Sequence, residues 1–224
     1  MTVVRLLLTI VFTTASAAFA PQAMAQDAPP LPEGCIARVD GLPASPLFDP
    51  EDPRLQGDAL VVVLEDARRT MIFREGVLAR VKAPDGAPGC WAVALGVNNQ
   101  GAHPQGPKLR QGDRKTPHGW YRTSDKPWSA YAPAVAIHYP SAADAQAGVA
   151  SGLVTQAQAR AIAAAVARDD KPSQRTRLGG EILFHGGGGW ADWTWGCVAF
   201  DDDDNEQFRS LLPPDMRTDV LILP

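Results

Sequence analysis

No apolar run in this sequence reaches the ~20 residues that a membrane-spanning helix needs. Basic charge is not in excess either. The 21 Lys and Arg stand against 25 Asp and Glu, a formal net charge of -4, which argues against the basic face of a nucleic-acid binder. Cysteine is scarce, with three residues, and no C-x-x-C pair suggests zinc. The four histidines, His103, His118, His138 and His185, lack the i, i+4 spacing of a helical metal site. No spaced carboxylate loop suggests calcium, and there are no internal repeats. Neither a metal nor a cofactor is expected. What remains is ordinary globular composition, 45% hydrophobic and 21% charged, in a chain of 224 residues that suits one domain with a real core.

The N-terminus departs from that picture. Arg5 precedes the apolar run LLLTIVF, which leads into a small-residue stretch ending AMAQ. Charge, apolar core and an Ala-x-Ala site in that order predict a secretory signal peptide over residues 1–25. Cleavage is expected between Ala25 and Gln26 rather than after AFA, where Pro21 would hinder processing. No membrane span would remain after it. Export to an oxidising compartment favours disulfides, and three thiols leave one over. Pairing Cys35 with Cys90 would leave Cys197 free and tie down the proline-rich segment 26–57. Leu47 and Phe48 suggest that this segment docks on the domain that follows, residues 58–224.

That domain reads as mainly β with flanking helices (α+β). ALVVVLED and TMIFREG form a hairpin closing on Gly76, and CWAVALG is a further short strand. A long Gly- and Pro-rich loop follows, then strands at WYRTSD and AVAIHYP. Residues 152–168 predict a helix, with Thr155 and Gln158 as its capping box. GGEILFHG is a buried strand that delivers His185, and VAF after Cys197 is another. A closing helix is expected near 204–212, capped by Asp203 with Glu206 at its third position; the acid run there suits a helix N-terminus.

Between His185 and Cys197 the chain reads HGGGGWADWTWGC. Four consecutive glycines are costly to order, so packing alone does not explain them. A cysteine attacks as thiolate and needs a base or a positive environment. A loop of this length can bring the imidazole back to the sulfur, and Gly196 lets the backbone approach a carbonyl closely. A buried structural cysteine beside a core histidine accounts for the same residues equally well.

The segment FHGGGGWADWTWGCVAF resembles the active-site segment of the L,D-transpeptidases (YkuD-like domain). That family has a histidine-glycine pair, a variable loop, then Ser/Thr-x-Gly-Cys and an apolar residue. His185-Gly186 and Thr194-Trp195-Gly196-Cys197-Val198 fit in that order. GDRKTPHGWYR resembles the family's Gly-Asp-x-x-Thr-Pro-x-Gly segment, and the hairpin near residues 60–76 fits its opening strands. IHYPSAADAQAG and RLGGEILFHG resemble a periplasmic subgroup that includes peptidoglycan–protein amide hydrolases. The resemblance covers roughly residues 58–212 and implies a β-sandwich catalytic domain.

It further implies Cys197 as nucleophile and His185 as general base. The Gly186 carbonyl would orient the imidazole, and the Gly196 and Cys197 amides would hold the oxyanion. Thr194 would shape the turn, and Thr194, Trp195, Arg122 and His138 are candidate substrate contacts. His118 reads as a loop residue. Trp190, Trp193 and Trp195 suit either sugar stacking or loop packing. Two departures bear on substrate: Trp195 stands where many members have a second histidine, and DDDD follows Phe200 in place of an Arg/Asn-type pattern. The implied reaction is periplasmic. Cys197 attacks a peptidoglycan stem peptide at the diaminopimelate–D-Ala bond, and an amine from another stem or a wall-attached protein accepts the acyl group. The rivals are an L,D-endopeptidase or amidase using the same pair, which cleaves crosslinks or releases wall-attached protein, and a non-catalytic peptidoglycan-binding module.

Overall fold

The structure, a computed structural model, describes residues 30–81, 86–131 and 133–224. The expected signal peptide lies outside the described residues. Residues 31–224 form one compact unit.

Nine strands join in one mixed, curled sheet: β1 (Leu60–Leu64), β2 (Arg69–Arg74), β3 (Val77–Leu78), β4 (Cys90–Ala92), β5 (Gly119–Lys126), β6 (Ala134–Ile137), β7 (Leu183–His185), β8 (Val198–Ala199) and β9 (Asp219–Leu223). Their order is β3-β2-β1-β9-β5-β6-β7-β8, with β4 added to β2. The pairs β1–β9 and β7–β8 are parallel and the others antiparallel. Helices α1 (Ala142–Ala150), α2 (Gln156–Ala167) and α3 (Asp202–Ser210) complete the domain.

Strand β1 shows how the layers form. Side chains alternate across a strand, so Val61 and Val63 enter the larger core while Leu60, Val62 and Leu64 enter a second one behind the sheet. Each such buried side chain contributes about 1.5–3 kcal/mol. The second core is covered by the proline-rich segment through buried Val39 and Leu55, with Leu47 and Phe48 packed at its edge. Cys35 and Cys90 are joined by a disulfide that holds that segment to β4.

Several elements differ from expectation. The strand at CWAVALG is regular only over Cys90–Ala92, and single bridges at Ala94 and Gly96 replace the rest. α1 goes unread in the sequence because its Ala- and Gly-rich body has little apolar face. Its signal was the capping box of Ser141 and Asp144. α3 begins two residues early, with Asp201 at the cap, and Asp203 and Glu206 lie inside the helix. β9 is the largest omission, since it sits between β1 and β5 at the middle of the sheet.

Candidate functional site

The sheet itself brings His185 and Cys197 to one face. Val135, Ile137 and Phe184 point into the larger core, so Ala134, Ala136 and Leu183 point the other way, and Cys197 packs against those three. His185 is two residues beyond Leu183 on β7 and shares its face. In the parallel β7–β8 pair Phe184 lies opposite Val198, which sets Cys197 level with Leu183. Neighbouring strands ~4.8 Å apart and a two-residue stagger put the two Cα atoms roughly 8 Å apart, a span that an imidazole and a thiol can close between them.

The imidazole is held on several sides. His185 Nδ1 donates to the Gly186 carbonyl at 2.6 Å, a tautomer assigned from that acceptor, which leaves Nε2 free to take a proton. The Tyr131 ring lies 4.8 Å from it at 31°, and Trp193 meets it edge-on at 5.6 Å. Burial lowers the His185 pKa, and the Gly186 bond opposes that shift. His185 is only 2% exposed, so the neutral form is favoured at rest.

The thiol is neutral as well. Burial pushes Cys197 up to about 11, while a backbone contact from Leu183 and the charges of Lys108 and Lys126 pull it down by less. Its S–H donates to the Glu181 carbonyl at 3.5 Å. Lys171 Nζ lies 3.3 Å from the Glu181 carboxylate, and Lys126 contacts the same group. Burial thus favours the neutral form of both side chains.

The turn before Cys197 explains the Thr-x-Gly spacing. Thr194 Oγ1 donates to the Cys197 carbonyl at 2.8 Å and accepts the Gly196 N–H at 3.2 Å. Gly196 has φ +111°, and a Cβ there would come within 2.4 Å of the Lys115 carbonyl, so no other residue fits without displacing the loop that carries Lys115. Of the two amides expected for an oxyanion, that of Gly196 is thus already engaged. Thr194 is buried, and its hydroxyl makes both of these turn contacts. The glycine run has a steric reason too: a Cβ on Gly186 would strike Asp202, and one on Gly189 would lie 2.9 Å from the Ala92 carbonyl.

Other expected residues lie elsewhere. Arg122 is paired with Asp169 at 2.9 Å and Asp219 at 3.3 Å, and lines with His138 a cleft of about 140 Å³ that includes neither His185 nor Cys197. His138 is buried, with Nε2 2.9 Å from Ser124 Oγ, and burial pulls it down to about 4. Arg122 and His138, expected as substrate contacts, thus lie together in a cleft apart from His185 and Cys197, with these partners engaging their polar atoms. Trp195 is 67% exposed, with the Arg114 guanidinium 4.4 Å over its ring. Trp190 is exposed as well, whereas Trp193 Nε1 donates to the Gly188 carbonyl and packs the loop.

Sequence reading missed how the loop is anchored. Asp192, midway between His185 and Cys197, receives Arg68 at 2.8 Å and the Leu95 N–H at 2.8 Å. His103 Nδ1 stands 3.6 Å from the same carboxylate, and its Nε2 is 3.0 Å from buried Glu65. Glu65 also contacts His118, which lies in the loop before β5 as expected and has its ring nearly buried against that carboxylate. No spacing rule links these six positions. Also unread were Tyr131 against His185 and a cavity of about 440 Å³ lined by Lys108, Arg110 and Lys115 together with Asp113 and Asp144. Among the described residues no group of three or more His, Cys, Asp or Glu is placed to hold a metal ion.

The chain is similar to the helical cell shape determining protein Pgp2 from Campylobacter jejuni (20% identity over 73% of this chain and 46% of that one, TM-score 0.42). It is similar to an L,D-transpeptidase from Mycobacterium tuberculosis H37Rv (13%, 75% and 58%, TM-score 0.37) and to Bd1075 of Bdellovibrio bacteriovorus (17%, 75% and 48%, TM-score 0.40). The chain spans less than two thirds of the length of each of these proteins. No curated protein matches it. The model of the L,D-transpeptidase catalytic domain (YkuD) matches residues 57–222, most of the sequence. The chain belongs to the L,D-transpeptidase catalytic domain family.

Proposed function

We propose that the domain is a cysteine L,D-transpeptidase of peptidoglycan stem peptides, with Cys197 as nucleophile and His185 as general base. The observation that carries this reading is the placement of both side chains on one sheet face, with Nδ1 fixed on the Gly186 carbonyl. His185 Nε2 takes the thiol proton as sulfur attacks the carbonyl carbon of the L-centre at the diaminopimelate–D-Ala bond. The C–N bond then breaks, the imidazolium returns its proton to the departing D-residue amine, and a thioester remains on Cys197. An amine that attacks the thioester gives a new amide; water gives the free acid. The Gly186 carbonyl stabilises the transient imidazolium, the part that a carboxylate plays in other triads.

Mass spectrometry of the protein mixed with a stem peptide or a carbapenem tests the reading. A thiol adduct is expected in the wild type and none in Cys197→Ala. Full turnover by that variant would reject the mechanism, and no adduct in the wild type would favour a binding module. A new amide among the products identifies a transferase; free acid alone identifies a hydrolase. The N-terminal apolar run supports a periplasmic enzyme, and N-terminal sequencing of the expressed protein should begin at Gln26.

A further inference from the structure

We propose that Lys126 and Lys171 select the substrate by its charge: their ammoniums, which share the Glu181 carboxylate beside the thiol, take the carboxylate of the departing D-residue. This rests on the acyl transfer proposed above and names the residues that read the leaving group. The sheet register puts Lys126 on the nucleophile's side. It lies opposite Ala134 on β6, and cross-strand partners project from the same face. Ala134 packs with Ala136, Leu183 and Cys197 on that face, where Cys197 is half-buried. Glu181 ties the lysines to the sulfur itself. Its backbone carbonyl takes the Cys197 S–H at 3.5 Å, and its carboxylate takes Lys126 and, at 3.3 Å, Lys171 from the loop after α2.

Charge and exposure give the cluster its direction. Two ammoniums share one carboxylate, and no other carboxylate among the described residues pairs with either. One positive charge is therefore left over next to the nucleophile, and the Lys126 charge reaches the thiol. Lys108, the other lysine whose charge reaches it, is buried and matched by Asp113 at 2.8 Å. The Lys126 and Lys171 side chains are 14% and 27% exposed, whereas that of Glu181 is 54% exposed, so the carboxylate is the member free to swing out. An ion pair exposed to that degree holds it by about 1 kcal/mol or less.

An incoming carboxylate can replace it. Only the amide nitrogen and one Cα separate the carboxylate of the D-residue from the carbonyl carbon that sulfur attacks. Standard backbone dimensions keep the two carbons within about 4 Å. The carboxyl at the far end of the diaminopimelate side chain is many bonds more distant. When the scissile carbonyl meets Cys197, the leaving group's carboxylate is thus within reach of the flexible lysine stems that Glu181 occupies at rest. A leaving residue without that charge gains nothing from them.

Two ratios test this, each taken within one protein so that changes in stability or thiolate content cancel. The first is the acylation rate with a stem peptide ending in D-Ala against one ending in D-alaninamide. It should favour the acid about tenfold in the wild type, as expected for one partly exposed charge-assisted contact, and fall to near one in Lys126→Met/Lys171→Met. Equal ratios in the two proteins overturn the proposal, as does a preference that follows amidation of the diaminopimelate carboxyl instead. The second ratio needs no turnover: the free thiol of Cys197 is alkylated with iodoacetate and with iodoacetamide. Both reagents consume thiolate, so their relative rate reports the local charge. It should drop severalfold in the double variant, rise in Glu181→Gln, which keeps both ammoniums, and shrink in the wild type with added salt. No fall in the first variant, or no rise in the second, overturns the proposal. Should the wild type form no acyl-enzyme, the transferase reading fails, while the alkylation ratio still decides whether the lysines draw a carboxylate to the thiol.

Discussion

The Arg68 guanidinium, at the turn of the first hairpin, grips the carboxylate of Asp192 through Nη2 at 2.8 Å and Nε at 3.0 Å. The two residues are 124 positions apart, and Asp192 sits midway along the loop that separates His185 from Cys197. The loop is thus clamped to the scaffold by an ion pair that also takes the Leu95 N–H. Asp192→Ala should lower stability by about 1–3 kcal/mol, since it strands a partly buried guanidinium and an amide. It should also slow acylation of Cys197, because Trp193 and Thr194 lose their anchor. Calorimetry and stopped-flow acylation check the two effects. Unchanged acylation in a well-folded variant would show that the clamp does not position the thiol.

A thiol held neutral predicts a definite pH dependence. With Cys197 at about 11 against an ordinary 9.0, the resting thiolate at neutral pH is about a hundredfold scarcer than for an ordinary cysteine. Iodoacetamide, which needs thiolate, should label it slowly at pH 7 and progressively faster as pH rises. Fast labelling that is flat from pH 6 to 8 would point instead to a preformed ion pair. His185→Ala should depress acylation by a carbonyl substrate far more than it depresses alkylation.

His138 gives a prediction about stability. Its folded pKa of about 4 lies below the ordinary 6.5, so between those values the unfolded chain binds a proton that the native protein does not. Stability therefore falls as pH drops through that window, by at most about 3 kcal/mol from this group. His185 is shifted in the same direction and adds to the loss. Subtracting the profile of His138→Gln from that of the wild type isolates the first share. Denaturant titrations at several pH values would measure it, and parallel profiles would refute the assignment.

The Cys35–Cys90 disulfide spans 55 residues of sequence. Loop-closure entropy for that length is worth up to about 4 kcal/mol. Reduction, or Cys35→Ser with Cys90→Ser, should lower the melting temperature and detach the segment that covers the second core. Proteolysis should then cut near Leu47 and Phe48 before it reaches the sheet. An unchanged melting temperature would mean that the apolar contacts of Val39 and Leu55 alone hold the segment.

How much could be read from the sequence varied with the range of the cause. The first hairpin was legible because the β-branched run at Leu60–Leu64 and the alternation at Arg69–Arg74 are local signals. α2 was legible because Thr155 and Gln158 form a cap within one turn. His185 and Cys197 were legible as a pair because His185-Gly186 and Thr194-Trp195-Gly196-Cys197 are local patterns that resemble the family's active-site segment. Long-range pairing was not legible. Nothing in the sequence DVLIL says that it lies between β1 and β5, and nothing around Arg122 says that Asp169 and Asp219 will take it. Tyr131 reaches His185 from a loop whose position depends on the β5–β6 pairing, which no local pattern carries. The role of Asp192 was not legible either, because its partners Arg68, Leu95 and His103 lie on three distant segments.

Strand β9 runs parallel to β1 on one side and antiparallel to β5 on the other. A polypeptide stopped short of Asp219 would hold those two strands with bare edges toward each other and a slot between them. Bare edges of that kind recruit other chains. The half that carries the hairpin and the half that carries His185 and Cys197 are thus joined strand to strand through β9, and otherwise by the single bridges Ala94–Ala199 and Gly96–Thr194, so the sheet becomes continuous only when β9 is in place.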